Sequence, residues 1–162
     1  MTRVLFDKKG NKMEVAFIKT SEVNSEKIKE ILGKYLIESE FDEDGDVVVD
    51  DPIRIYIQVN EKEKLIRMFR FSYLFGLFDD ISPESDDSDV SDEMKNKIIT
   101  EINEANTISN FAKHMLFKKA ILSELSLIVD NSLSEETIVR YFKKFQSELI
   151  KLSNSTPFKE WL

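Results

Sequence analysis

The stretch from Leu65 to Phe78 is interrupted only by Arg67, Arg70, Ser72 and Gly76, and it constrains the fold more than any other part of the chain. Read as a strand, it is apolar on both faces. Phe69, Phe71, Tyr73 and Phe75 alternate on one, while Ile66, Met68, Leu74 and Leu77 fall largely on the other. Such a strand is either covered on both sides within a sheet or turns one face to another chain. It is not a membrane span, because no apolar run approaches the roughly 18–20 residues that requires.

The residues before it supply its neighbours. Phe41 leads into an Asp44–Gly45 turn and then Val47–Val49. Pro52 opens a strand in which Ile53, Ile55, Ile57 and Val59 alternate with Arg54, Tyr56, Gln58 and Asn60, and Asn60–Lys64 is a charged turn. Three strands joined by short turns imply an antiparallel meander. Nearer the start, Val4–Phe6 and Met13–Ile18 flank a Gly10–Asn11 turn and predict a hairpin. Asn24 or Ser25 can cap a helix whose buried face is Ile28, Ile31, Leu32, Tyr35 and Leu36.

Beyond the meander, Met94, Ile98, Ile102 and Ala105 mark a second helix starting near Asp92. Residues 110–117 and 120–129 predict two strands around a Lys118–Lys119 turn. Ile138, Phe142, Phe145, Leu149 and Leu152 stripe a last helix, opened by a Ser132/Glu135 capping box or by Ser134. Strands grouped in this way predict an α+β domain, an antiparallel sheet with helices packed on one face, in the order hairpin–α–βββ–α–ββ–α. At 162 residues one domain is expected: a hairpin extension over 1–20, a core over 25–152 and a tail over 153–162. The tail ends in Trp161 and Leu162, large side chains that need burial somewhere.

The net charge of -8 is local. Residues 40–51 hold seven acids and residues 79–93 eight, with no base in either, and the remainder carries sixteen acids against twenty-three bases. The second segment, with Pro83, reads as an acidic mobile loop. Scattered bases beside concentrated acids disfavour nucleic acid as a partner. The absence of cysteine removes disulfides and thiolate metal sites, and the single histidine removes histidine-rich ones. The charged opening Met1–Asp7 does not fit a secretory signal, so a cytoplasmic protein without membrane contact is expected.

Candidate chemistry is sparse. Glu40, Asp42, Asp44, Gly45 and Asp51 occupy positions 1, 3, 5, 6 and 12 of an EF-hand-like loop. Position 12 lacks the bidentate glutamate, and Pro52 with an alternating β pattern replaces the exiting helix, so a turn with solvated acids is the expectation. His114 could be grouped with Ser109 or Ser123 and an acid. No strained nucleophile turn is present, however, and a half-exposed strand histidine sharing a face with Asn110 and Ala112 is expected. Glycine-rich phosphate loops are missing from the sequence. The reading is of a non-enzyme with no catalytic, cofactor-binding or metal-binding residue and no cofactor.

The order of elements and several local words resemble the YbjN-like family, whose domain is similar in fold to type III secretion chaperones. The resemblance covers roughly residues 25–152. It is carried by the opening helix, the Asp44–Gly45–Asp46 turn, the meander, Ile102–Asn103–Glu104–Ala105–Asn106, Phe111–Ala112–Lys113, Ile121–Leu122–Ser123–Glu124–Leu125, and Leu133–Ser134 running into Ile138. The hairpin, the acidic segment and the tail depart from that pattern. The resemblance implies a chaperone-like or regulatory protein with no catalytic residues to carry over, of a kind in which small acidic dimers bind extended client segments.

The surplus apolar surface agrees with that implication. Phe69, Phe71, Tyr73, Phe75, Phe142 and Phe145 are the expected partner-binding residues, an open sheet face rich in Phe and Met being suited to a client's apolar side chains. A homodimer is expected, with the acidic loop steering basic clients. An immunity-type protein neutralising a basic toxin is the alternative, and a cryptic enzyme the third.

Overall fold

In the computed structural model, the residues described are 2–6, 12–74, 91–109, 111–155 and 158–161. Helix α1 (Ser25–Lys34) starts where Asn24, in extended conformation, folds its side chain back so that Oδ1 accepts the Lys27 N–H at 2.8 Å. Glu26 in its first turn and Lys34 in its last complement the helix dipole. The helix ends sooner than its apolar spacing predicts. Leu36 takes a left-handed conformation (φ 60°), its N–H bonds to Gly33 O, and the Ile37 N–H bonds to Leu32 O. This turn satisfies the last carbonyls and throws Leu36 outward. Leu36 is 93% exposed, so the buried face consists of Ile28, Ile31 and Leu32 alone.

Strands β1 (Thr2–Phe6), β2 (Lys12–Lys19) and β9 (Ser132–Ser134) form one sheet in the order β1-β2-β9. β1 and β2 pair antiparallel from Thr2↔Ala16 to Phe6↔Lys12, while the predicted Gly10–Asn11 turn lies outside the described residues. A second sheet has the order β3-β4-β5-β6-β8-β7, from β3 (Glu40–Phe41), β4 (Val47–Val49), β5 (Ile55–Asn60), β6 (Leu65–Tyr73), β7 (Lys113–Phe117) and β8 (Ala120–Ile128). With helices α2 (Asp92–Ile108), α3 (Glu135–Asn154) and the short α4 (Phe158–Trp161), the fold is α+β with helices packing on an antiparallel sheet.

The chain divides into two compact units, Met1–Met68 with Ser126–Lys144, and Phe69–Leu125 with Phe145–Leu162. In the first, α1 lies against β4 and β5, and Ile18, Ile28, Ile31, Val47, Ile55, Ile57, Ile66, Ile138 and Phe142 are buried. The β5 strand begins at Ile55 rather than at Pro52, after a bend over residues 51–53 that contains the cis Asp51–Pro52 bond. The Ser132/Glu135 capping box does not form, because Ser132 is held in β9 opposite Lys19. Ser134 caps instead, its Oγ accepting the Thr137 N–H at 3.1 Å. Glu135 is buried, and its carboxylate takes the Lys34 ammonium at 2.9 Å with Lys27 at 3.9 Å.

In the second unit, α2 starts from Ser91, whose Oγ accepts the Met94 N–H. Its stripe of Ile98 and Ile102 packs with Leu74, Ile121, Leu152 and Phe158. Phe158 of the tail is thus a core residue, and the side chains of Trp161 and Leu162 lie outside the described residues. The acidic segment is likewise undescribed up to Val90, after which Ser91, Asp92 and Glu93 open α2.

Candidate functional site

The strand period decides which side chains of the second unit face away from α2. Ser72 of β6 and Leu74 just after it are buried, whereas Phe69 and Phe71 are half-buried and Tyr73 is 44% exposed. On β7, Leu116 packs on the α2 core, which turns Met115 and Phe117 to the opposite face, where both are exposed. The rings confirm the common side. Phe69 meets Phe71 edge-on at 5.8 Å between centroids, and Phe71 reaches Phe117 at 5.7 Å.

Strand β8 separates β6 from β7, and the β8 residue opposite Phe117 is Ala120. A side chain that small leaves room for two rings to approach over it. Phe69, Phe71, Tyr73, Met115 and Phe117 therefore form one apolar surface on the sheet, the candidate site.

The expected partner-binding residues divide accordingly. Phe69, Phe71 and Tyr73 lie on this surface, and Phe75 lies outside the described residues. Phe142 and Phe145 are fully buried core residues and offer no surface, because the wide apolar arc of α3 is consumed by packing. Met115 and Phe117 are members that the sequence reading missed, although their alternation with His114 and Leu116 carries the signal.

The other face of β7 holds a polar cluster in place of the half-exposed histidine expected. His114 is 5% exposed, because α2 and the second half of α3 cover its side of the sheet. Its Nδ1 lies 2.8 Å from the hydroxyl of Ser123, its cross-strand partner. Its backbone N–H donates to Asn106 Oδ1 at 2.8 Å, and its carbonyl accepts from Asn106 Nδ2 at 2.7 Å. Since both backbone groups of His114 point away from β8, His114 and Ser123 form a non-hydrogen-bonded pair, the kind that brings opposite side chains closest.

Glu148 of α3 holds the connection into β7, its Oε2 accepting from the Ser109 hydroxyl at 2.6 Å and the Ala112 N–H at 3.1 Å. This clamp explains why β7 starts at Lys113 rather than at residue 110. Burial lowers the His114 pKa, and the nearby Glu148 carboxylate opposes that shift in part. The Ser109 and Ser123 hydroxyls are thus taken by different partners, and Ser123 is fully buried beyond the reach of a substrate.

Of the EF-hand-like residues, Asp42, Asp44 and Gly45 form the β3–β4 turn, with Gly45 at φ 84°, while Glu40 lies in β3 and Asp51 beyond β4. Asp42 Oδ1 accepts the N–H groups of Asp44 and Asp46, so this carboxylate braces its own turn. Among the described residues no group of three or more acids or histidines is placed to hold a metal ion, and no helix is long and apolar enough to cross a membrane. No protein-family model, curated protein or solved structure matches the chain.

Proposed function

We propose that this chain is a non-enzymatic, chaperone-like or regulatory protein-binding module, and that it holds an extended apolar segment of a client protein on the aromatic face of β6 and β7. The observation that carries the reading is the surface of Phe69, Phe71, Tyr73, Met115 and Phe117, in which Tyr73 and Phe117 stand 44% and 47% exposed. Aromatic rings supply large contact area at little entropic cost, and a thioether adapts to differing side chains. Recognition runs through this face rather than through strand addition at the β7 edge, because Asn106 already occupies the outward backbone groups of His114. The YbjN-like resemblance over residues 25–152 belongs to the same reading, as does a cytoplasmic homodimer in which a second copy covers the face until a client displaces it.

The test is binding of extended apolar peptides, followed by fluorescence anisotropy. Phe117→Ser and Tyr73→Ser should each weaken binding about tenfold while preserving the melting temperature, as expected of exposed hot-spot aromatics. Unchanged affinity in both variants overturns the proposal. Tight binding of one basic protein that ignores both substitutions would favour the immunity-type alternative.

A further inference from the structure

Beside His114 lies a cleft of about 220 Å³, walled by Ala105 and Ile108 of α2 and by Glu148, Lys151 and Leu152 of α3. The Ser123 hydroxyl fixes the state of the ring that faces it. Ser123 is fully buried and His114 Nδ1 is its side-chain partner. If Nδ1 carried the proton, the hydroxyl proton would be left without an acceptor in the core. Ser123 therefore donates, Nδ1 accepts, and the proton of the neutral ring sits on Nε2. Every fully enclosed side-chain nitrogen and oxygen among the described residues has a partner. The Nε2–H of this almost wholly buried ring has none within the described residues, and His114 lines the cleft.

Three more features define what would fit. Glu148, which lines the cleft, commits Oε2 to Ser109 and Ala112 and keeps Oε1 as an acceptor. Lys151, one turn further along α3, brings an ammonium group that makes no ion pair among the described residues. Ile108 is 80% exposed and forms an apolar wall with Ala105 and Leu152. The volume is below the roughly 300–1,000 Å³ of sites for drug-sized molecules.

We propose that this cleft binds a free α-amino acid with a small aliphatic side chain. Its carboxylate takes the His114 Nε2–H and the Lys151 ammonium, its ammonium group takes Glu148 Oε1, and its side chain covers Ile108, Ala105 and Leu152. A plain carboxylic acid leaves Glu148 Oε1 without a cation, and an amide leaves Lys151 without an anion. This site is separate from the aromatic face, and either assignment can fail without the other.

His114 is the only histidine, so one imidazole ring appears in a ¹⁵N spectrum of the full chain. Titration with free leucine should move its Nε2 and Nε2–H resonances to saturation, with a Kd of about 1 mM or below. Leucinamide and 4-methylpentanoate should each bind about tenfold more weakly, as should leucine to the Lys151→Met variant, whose exposed substitution leaves the melting temperature in place. No saturable shift with leucine, valine or alanine up to about 10 mM overturns the proposal, as does 4-methylpentanoate binding as tightly as leucine.

Discussion

Asn106 holds the backbone of His114 on both sides of that residue, donating from Nδ2 to its carbonyl at 2.7 Å and accepting its N–H at Oδ1 at 2.8 Å. One side chain of α2 thus fills the two hydrogen-bonding positions that β7, the outermost strand of its sheet on that side, presents at His114. Asn106→Ala should destabilise the protein by about 1–3 kcal/mol, the cost of leaving both groups unmet. The bared edge should also raise concentration-dependent association. Urea unfolding and light scattering read the two effects, and a variant as stable and as monodisperse as the wild type contradicts the assignment.

The buried ring of His114 gives stability a defined pH dependence. Its folded pKa lies below the ordinary value of 6.5, chiefly through burial and against the opposing pull of Glu148. As the pH falls through 6.5 the unfolded chain takes up the proton first, so this group's contribution to stability declines until the pH reaches the folded pKa, then levels off. The stability gap between wild type and His114→Asn should narrow between pH 7 and pH 5. A gap constant over that range, measured by denaturant unfolding, refutes it.

Leu36 occupies a left-handed position at the end of α1 where glycine is preferred, with a side chain 93% exposed. Leu36→Gly should therefore stabilise the protein by about 1 kcal/mol, since the strain is relieved and no packing is lost. A fall in the denaturation midpoint would show that Leu36 makes a contact worth more than its strain.

Lys34→Met removes the nearest cation from the buried carboxylate of Glu135 and should cost about 1–2 kcal/mol, Lys27 at 3.9 Å remaining as a partial substitute. Glu30, which pairs with both lysines at 2.8 and 2.9 Å, has its pKa held down to about 2 by the hydrogen bond from Lys27 and then that from Lys34. Its stabilising contribution is present above pH 4.5 and is lost as the pH falls toward 2. Because Glu30 is exposed, added salt should raise its pKa toward the ordinary value, and carboxyl NMR titration at two ionic strengths checks this.

The periodic parts of the sequence were legible because burial and period coincide. Ile28, Ile31 and Leu32 mark α1, Ile98 and Ile102 mark α2, and the 4-3-4-3 stripe from Ile138 to Leu152 marks α3. Leu36 was misread because apolar spacing carries no record of a left-handed turn. Phe142 and Phe145 were misread because a wide apolar arc looks the same whether neighbouring elements cover it or a partner does. On the sheet, the Phe69–Tyr73 half of the aromatic face was visible in its alternation, while Phe117 joins it through the small Ala120 in a cross-strand register that a single sequence does not reveal. Ser132 gave no sign of strand pairing, since its partner Lys19 is more than a hundred residues away. Glu148 is the hardest case, a half-buried α3 residue whose partners Ser109 and Ala112 lie 39 and 36 residues earlier.

Photo-crosslinking from the sheet face tests the protein-binding assignment most directly. A benzophenone side chain placed at Phe117 in living cells should yield an adduct with a second polypeptide, a client or another copy of this chain. Phe71→Asp should diminish that adduct, and the same probe at Glu43 on the β3–β4 turn should give none. No adduct at Phe117, or equal adducts at Phe117 and Glu43, would contradict the account.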